Sequence, residues 1–228
     1  IIGDIHGCLA ELDELLATLE CRAGIDRLVF LGDFMDRGPD PVGVVRRVRA
    51  LGAECILGNH EMKHLKWASH EAKRRQNPSY KNPMRPFSDV KRAQNEALSE
   101  DDLTFLRSLR PWLRLDSNWL AVHAGFRPDK PLDEQKTEMV VRIRNVDENN
   151  RPVSISDDLK SPTGSVPWAT RWKGPENVVY GHDVHGLVEP RVDEPIPGVR
   201  CYGIDTGCCF GGRLTALVLP SREFVQVT

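Results

Sequence analysis

The chain has 228 residues, with 31 Lys and Arg against 33 Asp and Glu, for a net charge of −2. That length suits one domain with a continuous core, and the near balance of charge excludes the global positive field that draws proteins onto nucleic acid. No stretch has the length and apolarity of a membrane span, no signal peptide is visible, and the six cysteines (Cys8, Cys21, Cys55, Cys201, Cys208, Cys209) lack CxxC or paired spacing, so they read as reduced thiols of a cytoplasmic protein.

Three short glycine-bounded phrases occupy the first sixty-one residues: GDIHG (Gly3–Gly7), GDFMDRG (Gly32–Gly38) and GNHE (Gly58–Glu61). Each follows an apolar, strand-like stretch: Ile1 and Ile2, then Leu28 to Leu31, then Cys55 to Leu57. After the first phrase, Leu9, Leu12, Leu15, Leu16 and Leu19 share one helical face. After the second, Asp40 is placed to cap a helix that has Pro41 at its first position and ends at Gly52. Strand, loop and helix therefore alternate. In open α/β sheets ligands sit beyond the carboxyl ends of strands, so the three loops are expected to converge on one rim. They would bring together Asp4, His6, Asp33, Asn59 and His60, an oxygen and nitrogen set suited to divalent metals, with Arg37, whose planar fork matches a phosphate. This is the pattern of a two-metal phosphoester hydrolase, with Asp33 of the middle strand as the bridging ligand.

The next stretch, 63–98, carries nine Lys or Arg against three acids, with Trp67, Tyr80 and Phe87 among them. Pro78, Pro83 and Pro86 divide it into two helices, and Ser99 is expected to cap a third. Two readings stand: a solvated helical face, or a basic insert acting as a lid that offers cations to a polyphosphate and an aromatic plane to a base. Beyond it, strands are expected at Trp119–Val122, Val178–Tyr180, Val199–Gly203, Leu214–Leu219 and Phe224–Val227, with a polar loop from Asp129 to Gly164. His123 and His182 each end an apolar stretch and repeat the strand-then-ligand arrangement, so imidazoles from both can complete the second metal. His64, His70 and His185 lack that setting and read as surface or supporting residues. Periodicity supports a single mixed α/β domain over 1–228.

The ordered series GDxHG, GDxxDRG, GNHE, VHAG and GH resembles the phosphoprotein phosphatase superfamily of calcineurin-like metallophosphoesterases. VHAG, VYGHD and GIDTGCCFGG (Gly203–Gly212) are similar to its ApaH-like branch, which includes diadenosine tetraphosphatases. The resemblance implies a β-sandwich flanked by helices with a dimetal site at one rim. It assigns Asp4, His6 and Asp33 to one metal and Asp33, Asn59, His123 and His182 to the other. His60 would donate a proton to the leaving oxygen, oriented by Asp36, and Arg37 would neutralise the phosphoryl group. Arg171 in WATRW is a candidate second phosphate clamp, with Arg144 and Arg142 competing, or else it stacks on its flanking tryptophans. Asp205 either holds a tight turn or acts as a catalytic or orienting group in an active-site loop. Two divalent metals are the expected cofactors, manganese first, with iron, zinc and cobalt compatible with the ligands.

The expected function is hydrolysis of phosphoanhydride bonds in nucleotides, foremost symmetrical cleavage of diadenosine tetraphosphate, or of a related dinucleoside polyphosphate or capped RNA 5′ end. The alternatives are a serine/threonine protein phosphatase acting on a phosphoprotein, and an inactive phosphate-binding module. No membrane partner is expected, and the sequence leaves the oligomeric state open.

Overall fold

In the computed structural model, which describes residues 1–22, 24–153 and 163–228, the three N-terminal apolar stretches lie side by side. Ile2 bridges in parallel to Phe30 and antiparallel to Ala216. Strand β1 (Val29–Phe30) pairs in parallel with β2 (Glu54–Cys55). Their carboxyl ends open on one rim, as strand-loop-helix alternation requires. Helix α1 (Leu9–Leu19) buries Leu12 and Leu15 completely, each worth about 1.5–3 kcal/mol of hydrophobic stabilisation. In α2 (Pro41–Leu51) the Asp40 side chain accepts from Gly43 N at 2.8 Å, Pro41 holds the first position, and Gly52 ends the helix in the left-handed conformation.

The third phrase does not stay in a loop. Gly58 is the N-cap of α3 (Asn59–Gln76), so Asn59 and His60 project from its first turn. The stretch 63–98 continues α3 and then forms α4 (Asp89–Glu96), and Ser99 caps α5 (Glu100–Ser108). That cap is reciprocal: Asp102 N donates to Ser99 Oγ at 3.1 Å, and Ser99 N donates to the Asp102 carboxylate at 3.0 Å.

From Trp112 onward strands predominate: β3 (Trp112–Arg114), β4 (Trp119–Val122), β5 (Asn145–Val146), β6 (Pro152–Val153), β7 (Val166–Pro167), β8 (Asn177–Tyr180), β9 (Arg191–Ile196), β10 (Val199–Gly203), β11 (Leu214–Val218) and β12 (Glu223–Val227). One five-stranded sheet runs in the order β3-β4-β8-β10-β9, with β4, β8 and β10 parallel and both edges antiparallel. The β11–β12 hairpin joins the N-terminal strands through Ile2. Val29, Leu31, Ile56 and Leu217 of that layer pack against Leu113, Ala121, Val179 and Tyr202 of the five-stranded sheet, which makes the sandwich the resemblance implies. Helices α1 and α2 cover the outer face of the first layer. Trp168, Trp172 and the short helix α6 (Thr137–Val140) cover that of the second.

The segment expected as a polar loop from Asp129 to Gly164 needs correction. It holds a 3-10 turn at Leu132–Glu134, α6, and two strands, β5 and β6, of a small antiparallel sheet completed by β7. Val140, Val141, Ile143 and Val146 are all buried there, an apolar set that a reading for polar composition passes over. Residues 154–162 of that expected loop lie outside the described residues. Strand β9 lies outside the expected strands; it contains Pro195, which is tolerated because β9 lies at the sheet edge.

Candidate active site

The first two loops are stitched to each other by their backbones. Ile5 N and His6 N both donate to Asp33 O, Gly7 N to Phe34 O, and Gly38 N to His6 O at 2.7 Å. The buried Glu61 carboxylate then ties in the third: it accepts from Asp33 N and Phe34 N at 2.8 Å, Met35 N at 3.0 Å and Gly58 N at 3.1 Å. Within this mesh His6, Asp33, Asp36 and Arg37 all have positive φ, between 47° and 70°, and His182 joins them at 69°. Such conformations cost on the order of 1 kcal/mol or more each and persist where the surroundings over-determine them. Glycines preceding ligands serve two different ends. Gly32 takes φ +95°, whereas Gly58 makes room, since a Cβ there would lie 2.1 Å from Asp33 Oδ1.

Two groups that can hold a metal ion result, His6–Asp33–His60 and Asp33–His123–His182, and Asp33 is common to both. Backbone carbonyls set the imidazoles. His6 Nδ1 lies 2.8 Å from Met35 O and His123 Nδ1 lies 2.9 Å from Leu31 O, so each donates there and keeps Nε2 as the electron-pair donor toward the cluster. His123 Nε2 is 3.0 Å from Asn59 Oδ1 and 3.4 Å from Asp33 Oδ1, and His6 Nε2 is 3.4 Å from Asp33 Oδ2. Asp4 stands at the side of the second group, where both its oxygens accept from His182 N at 3.1 Å.

The electrostatics are those of crowded carboxylates. Burial, then Asp205 and Asp33, push Asp4 well above the usual carboxylate range, and burial pushes Asp205 up to about 6. Burial alone would discharge His123, yet Asp33 and Asp4 outweigh it and raise it to about 10, while burial takes His6 down to about 4.

His60 faces the same cluster from the other side. Its Nδ1 makes a short hydrogen bond to Asp36 Oδ2, and its Nε2 lies 3.8 Å from Asp33 Oδ2. Asp36 has two further partners: His64 Nε2 at 3.0 Å on Oδ1 and Lys91 Nζ at 2.7 Å on Oδ2. Burial would raise the Asp36 carboxyl, but the bonds from His60 and His64 hold it far below the carboxylate range. Asn95 donates to the His64 carbonyl at 3.1 Å and lies 3.2 Å from His64 Nδ1, completing a buried chain from α4 to His60.

These groups open into a cavity of about 240 Å³ lined by His6, Asp33, Asn59, His60 and His182, with Arg37, Arg144 and Asp205 at its sides. Arg144 Nε lies 3.2 Å from Asp183 Oδ1, and Asp183 lines the cavity too. Arg171 does not reach it. The 3-10 turn Trp168–Arg171 sends both flanking tryptophans into the core and leaves Arg171 exposed. Both readings of Asp205 hold at once: its Oδ1 accepts from Gly207 N at 3.0 Å in a tight turn, and the residue lines the cavity.

Residues 1–212 match the calcineurin-like phosphoesterases. The chain belongs to the calcineurin-like phosphoesterase family. Within it, the chain is 29% identical to a bis(5′-nucleosyl)-tetraphosphatase PrpE, asymmetrical, of Oceanobacillus iheyensis, covering 100% of this chain and 90% of that one. It is 31% identical to a symmetrical bis(5′-nucleosyl)-tetraphosphatase of Bordetella pertussis, covering 99% and 94%. A crystal structure of a candidate diadenosine tetraphosphatase superposes with a TM-score of 0.78 at 33% identity, covering 99% of this chain and 90% of that one.

A calcineurin-like phosphoesterase implies a dimetal centre, and the donors here fit one. Nε2 of His182 is buried without a hydrogen-bond partner, and buried Asp4, Asp33 and Asp205 repel one another without a cation between them. Sequence reading of this phosphoesterase did not single out Glu61, named His64 as a surface or supporting residue, and counted Lys91 only among the cations of 63–98. Glu61 was legible only as the last letter of GNHE, and nothing in the order of residues shows that Lys91 meets Asp36 across 55 positions. The same segment corrects the expected aromatic plane: Trp67 and Phe87 stack on each other with centroids 4.2 Å apart, and both are buried. Among the described residues, none lining the cavity comes from 63–98.

Proposed function

We propose that the protein hydrolyses phosphoanhydride bonds of dinucleoside polyphosphates, splitting diadenosine tetraphosphate symmetrically into two ADP. The observation that carries this reading is the cavity in which Asp33, common to two groups that could hold a metal ion, faces His60, Arg37 and Arg144. The names of the similar tetraphosphatases support the substrate class.

Asp4, His6 and Asp33 would hold one divalent ion, and Asp33, Asn59, His123 and His182 the other. When bound, the pair supplies positive charge to the phosphoryl oxygens and lowers the pKa of water toward about 7. Manganese heads the candidates, and the mixed carboxylate, amide and imidazole set also accepts iron, zinc and cobalt. Asp36 accepts from His60 Nδ1 and so orients the ring with Nε2 toward the leaving oxygen, to which the protonated imidazole would deliver a proton as the P–O bond breaks. Arg37 grips the transferring phosphoryl group. Arg144 takes the second clamp position, with Asp183 orienting its guanidinium. Asp205 sets the loop that borders the cavity.

One product analysis tests this: diadenosine tetraphosphate, capped RNA, a phosphopeptide and p-nitrophenyl phosphate are each offered with Mn, Fe, Zn or Co, and the products resolved. Two ADP from the dinucleotide is the expected result. ATP plus AMP would favour asymmetrical cleavage, the second reading that the Oceanobacillus relative's name supports. A phosphopeptide preferred by kcat/KM would overturn the assignment.

A further inference from the structure

The cavity gathers metal-ligating side chains, and phosphates seated among them would leave little room for more. At about 240 Å³ it is smaller than the roughly 300–1,000 Å³ of sites that enclose a whole organic ligand, so the nucleoside of a nucleoside polyphosphate whose phosphates sit among the ligands is expected at its mouth. What lies at the mouth is apolar. Phe210 is 54% exposed and Leu187 45% exposed, although Cys208 and Cys209 of the same 3-10 turn pack against the core. The three side chains converge around Gly207. A Cβ built there would stand 2.8 Å from Leu187 Cδ2, 3.2 Å from Val184 Cγ1 and 3.6 Å from Phe210 Cδ2. Phe210 and Val184 also line the cavity itself.

Arg37 joins the two surfaces. Its guanidinium carbon lies 4.7 Å from the centroid of the Phe210 ring, and the same group lines the cavity. A guanidinium presents donors along its edge and stacks through its face, so Arg37 can hold a phosphate and brace the ring together. An exposed aromatic ring braced in this way, beside the point where a phosphate chain emerges, suits the flat face of a base. The buried Trp67–Phe87 pair does not.

We propose that Phe210, Leu187 and Val184 form a nucleobase platform at the mouth of the cavity, through which the protein selects nucleoside polyphosphates over bare polyphosphate. This rests on reading the cavity as a polyphosphate site. It assigns the base to the loop following Asp205, on the side of the cavity that Arg37 reaches.

The test compares a matched pair of non-hydrolysable ligands, α,β-methylene ADP and methylenediphosphonate, which differ by the nucleoside. Their dissociation constants are measured calorimetrically in Mn-containing buffer on the full chain, on Phe210→Ala and on Phe210→Trp. The wild-type protein is expected to favour the nucleotide. Phe210→Ala should reduce that preference about tenfold, within the range that stacking one base on an aromatic ring contributes, and Phe210→Trp should retain it. Because Phe210 is half exposed, neither variant opens a core cavity. A preference unchanged in Phe210→Ala, one lost equally in Phe210→Trp, or none in the wild type would overturn the platform. Failure of the proposed function reads differently: intact diadenosine tetraphosphate after incubation with the wild type, beside a Phe210-dependent preference, would sink the substrate and leave the platform standing.

Discussion

The glycine-bounded loops line the cavity and the basic stretch stands behind it, and the two are built by different physics. In residues 3–7 and 32–38 the backbones of His6 and Asp33 are pinned by bonds to the other loop or to Glu61, and His6, Asp33, Asp36 and Arg37 are held at positive φ. In 63–98 nine cations are concentrated, yet they are dispersed in space: Arg74 pairs with Glu71, Arg92 with Asp89, and Lys91 turns to Asp36 behind the cavity wall. Charge density along a chain carries no direction. A glycine-bounded ligand phrase does, because its backbone permits few alternatives. The loops therefore present chemistry directly, and the basic stretch reaches the cavity through one carboxylate.

The strongest way to break this contrast is at Asp33, which both metal-binding groups share. Asp33→Asn is expected to bring hydrolysis to the assay background, and dialysis against a chelator to do the same until a divalent metal is restored. Full turnover in either sample would remove the two-metal basis. Next in size, His60→Ala should lower kcat by roughly 10²–10⁴ for a poor leaving group, and by less for p-nitrophenol, which leaves without a proton. Equal losses with both substrates would make His60 a positioning group.

The comparison sharpens at Lys91. Lys91→Met should lower kcat by about tenfold or more with little change in KM, the size of effect that partners of site residues carry when they act through orientation. Neutralising Arg74, Arg75 and Arg92 together should leave kcat and KM within about twofold, since exposed charges and ion pairs contribute little. A raised KM for the polyphosphate in that triple variant, strongest at low salt where the Debye length is long, would instead support the lid reading of 63–98.

A last effect, on stability and not on turnover, is expected where the basic stretch ends. Asp102 is fully buried, closes the Ser99 capping box, and has Arg49 Nη1 at 2.8 Å and Arg46 Nε at 3.3 Å. Asp102→Ala should cost about 1.5–3 kcal/mol in denaturant unfolding, the value of charge-assisted hydrogen bonds. Burial raises this carboxyl, but Ser99 and Arg46 outweigh it and hold it below its ordinary value. Its ionic contribution is therefore complete above the unfolded value of about 3.9 and is lost as pH falls through the lower folded one. The gap between wild type and variant should narrow in acid; a gap independent of pH would assign the loss to packing.

The alternation of apolar stretch, glycine-bounded phrase and leucine-patterned helix was enough to bring His6, Asp33, Asn59 and His60 to one cavity, with Asp4 beside His182, and α1 and α2 stand where that pattern put them. Those features are local: turn chemistry, helix capping and burial periodicity act over a few residues, and one sequence window contains them. His123 and His182 were legible for the same reason, as polar residues ending apolar strands. Only the tertiary structure brings Arg144 to the cavity and keeps Arg171 from it, because a 3-10 turn that buries Trp168 and Trp172 points the intervening arginine outward. Only the tertiary structure brought Lys91 to Asp36, buried the Trp67–Phe87 stack, and gathered Val184, Leu187 and Phe210 around Gly207. Each depends on contacts between segments distant in the chain, whose energies come from how surfaces meet and not from the composition of either one.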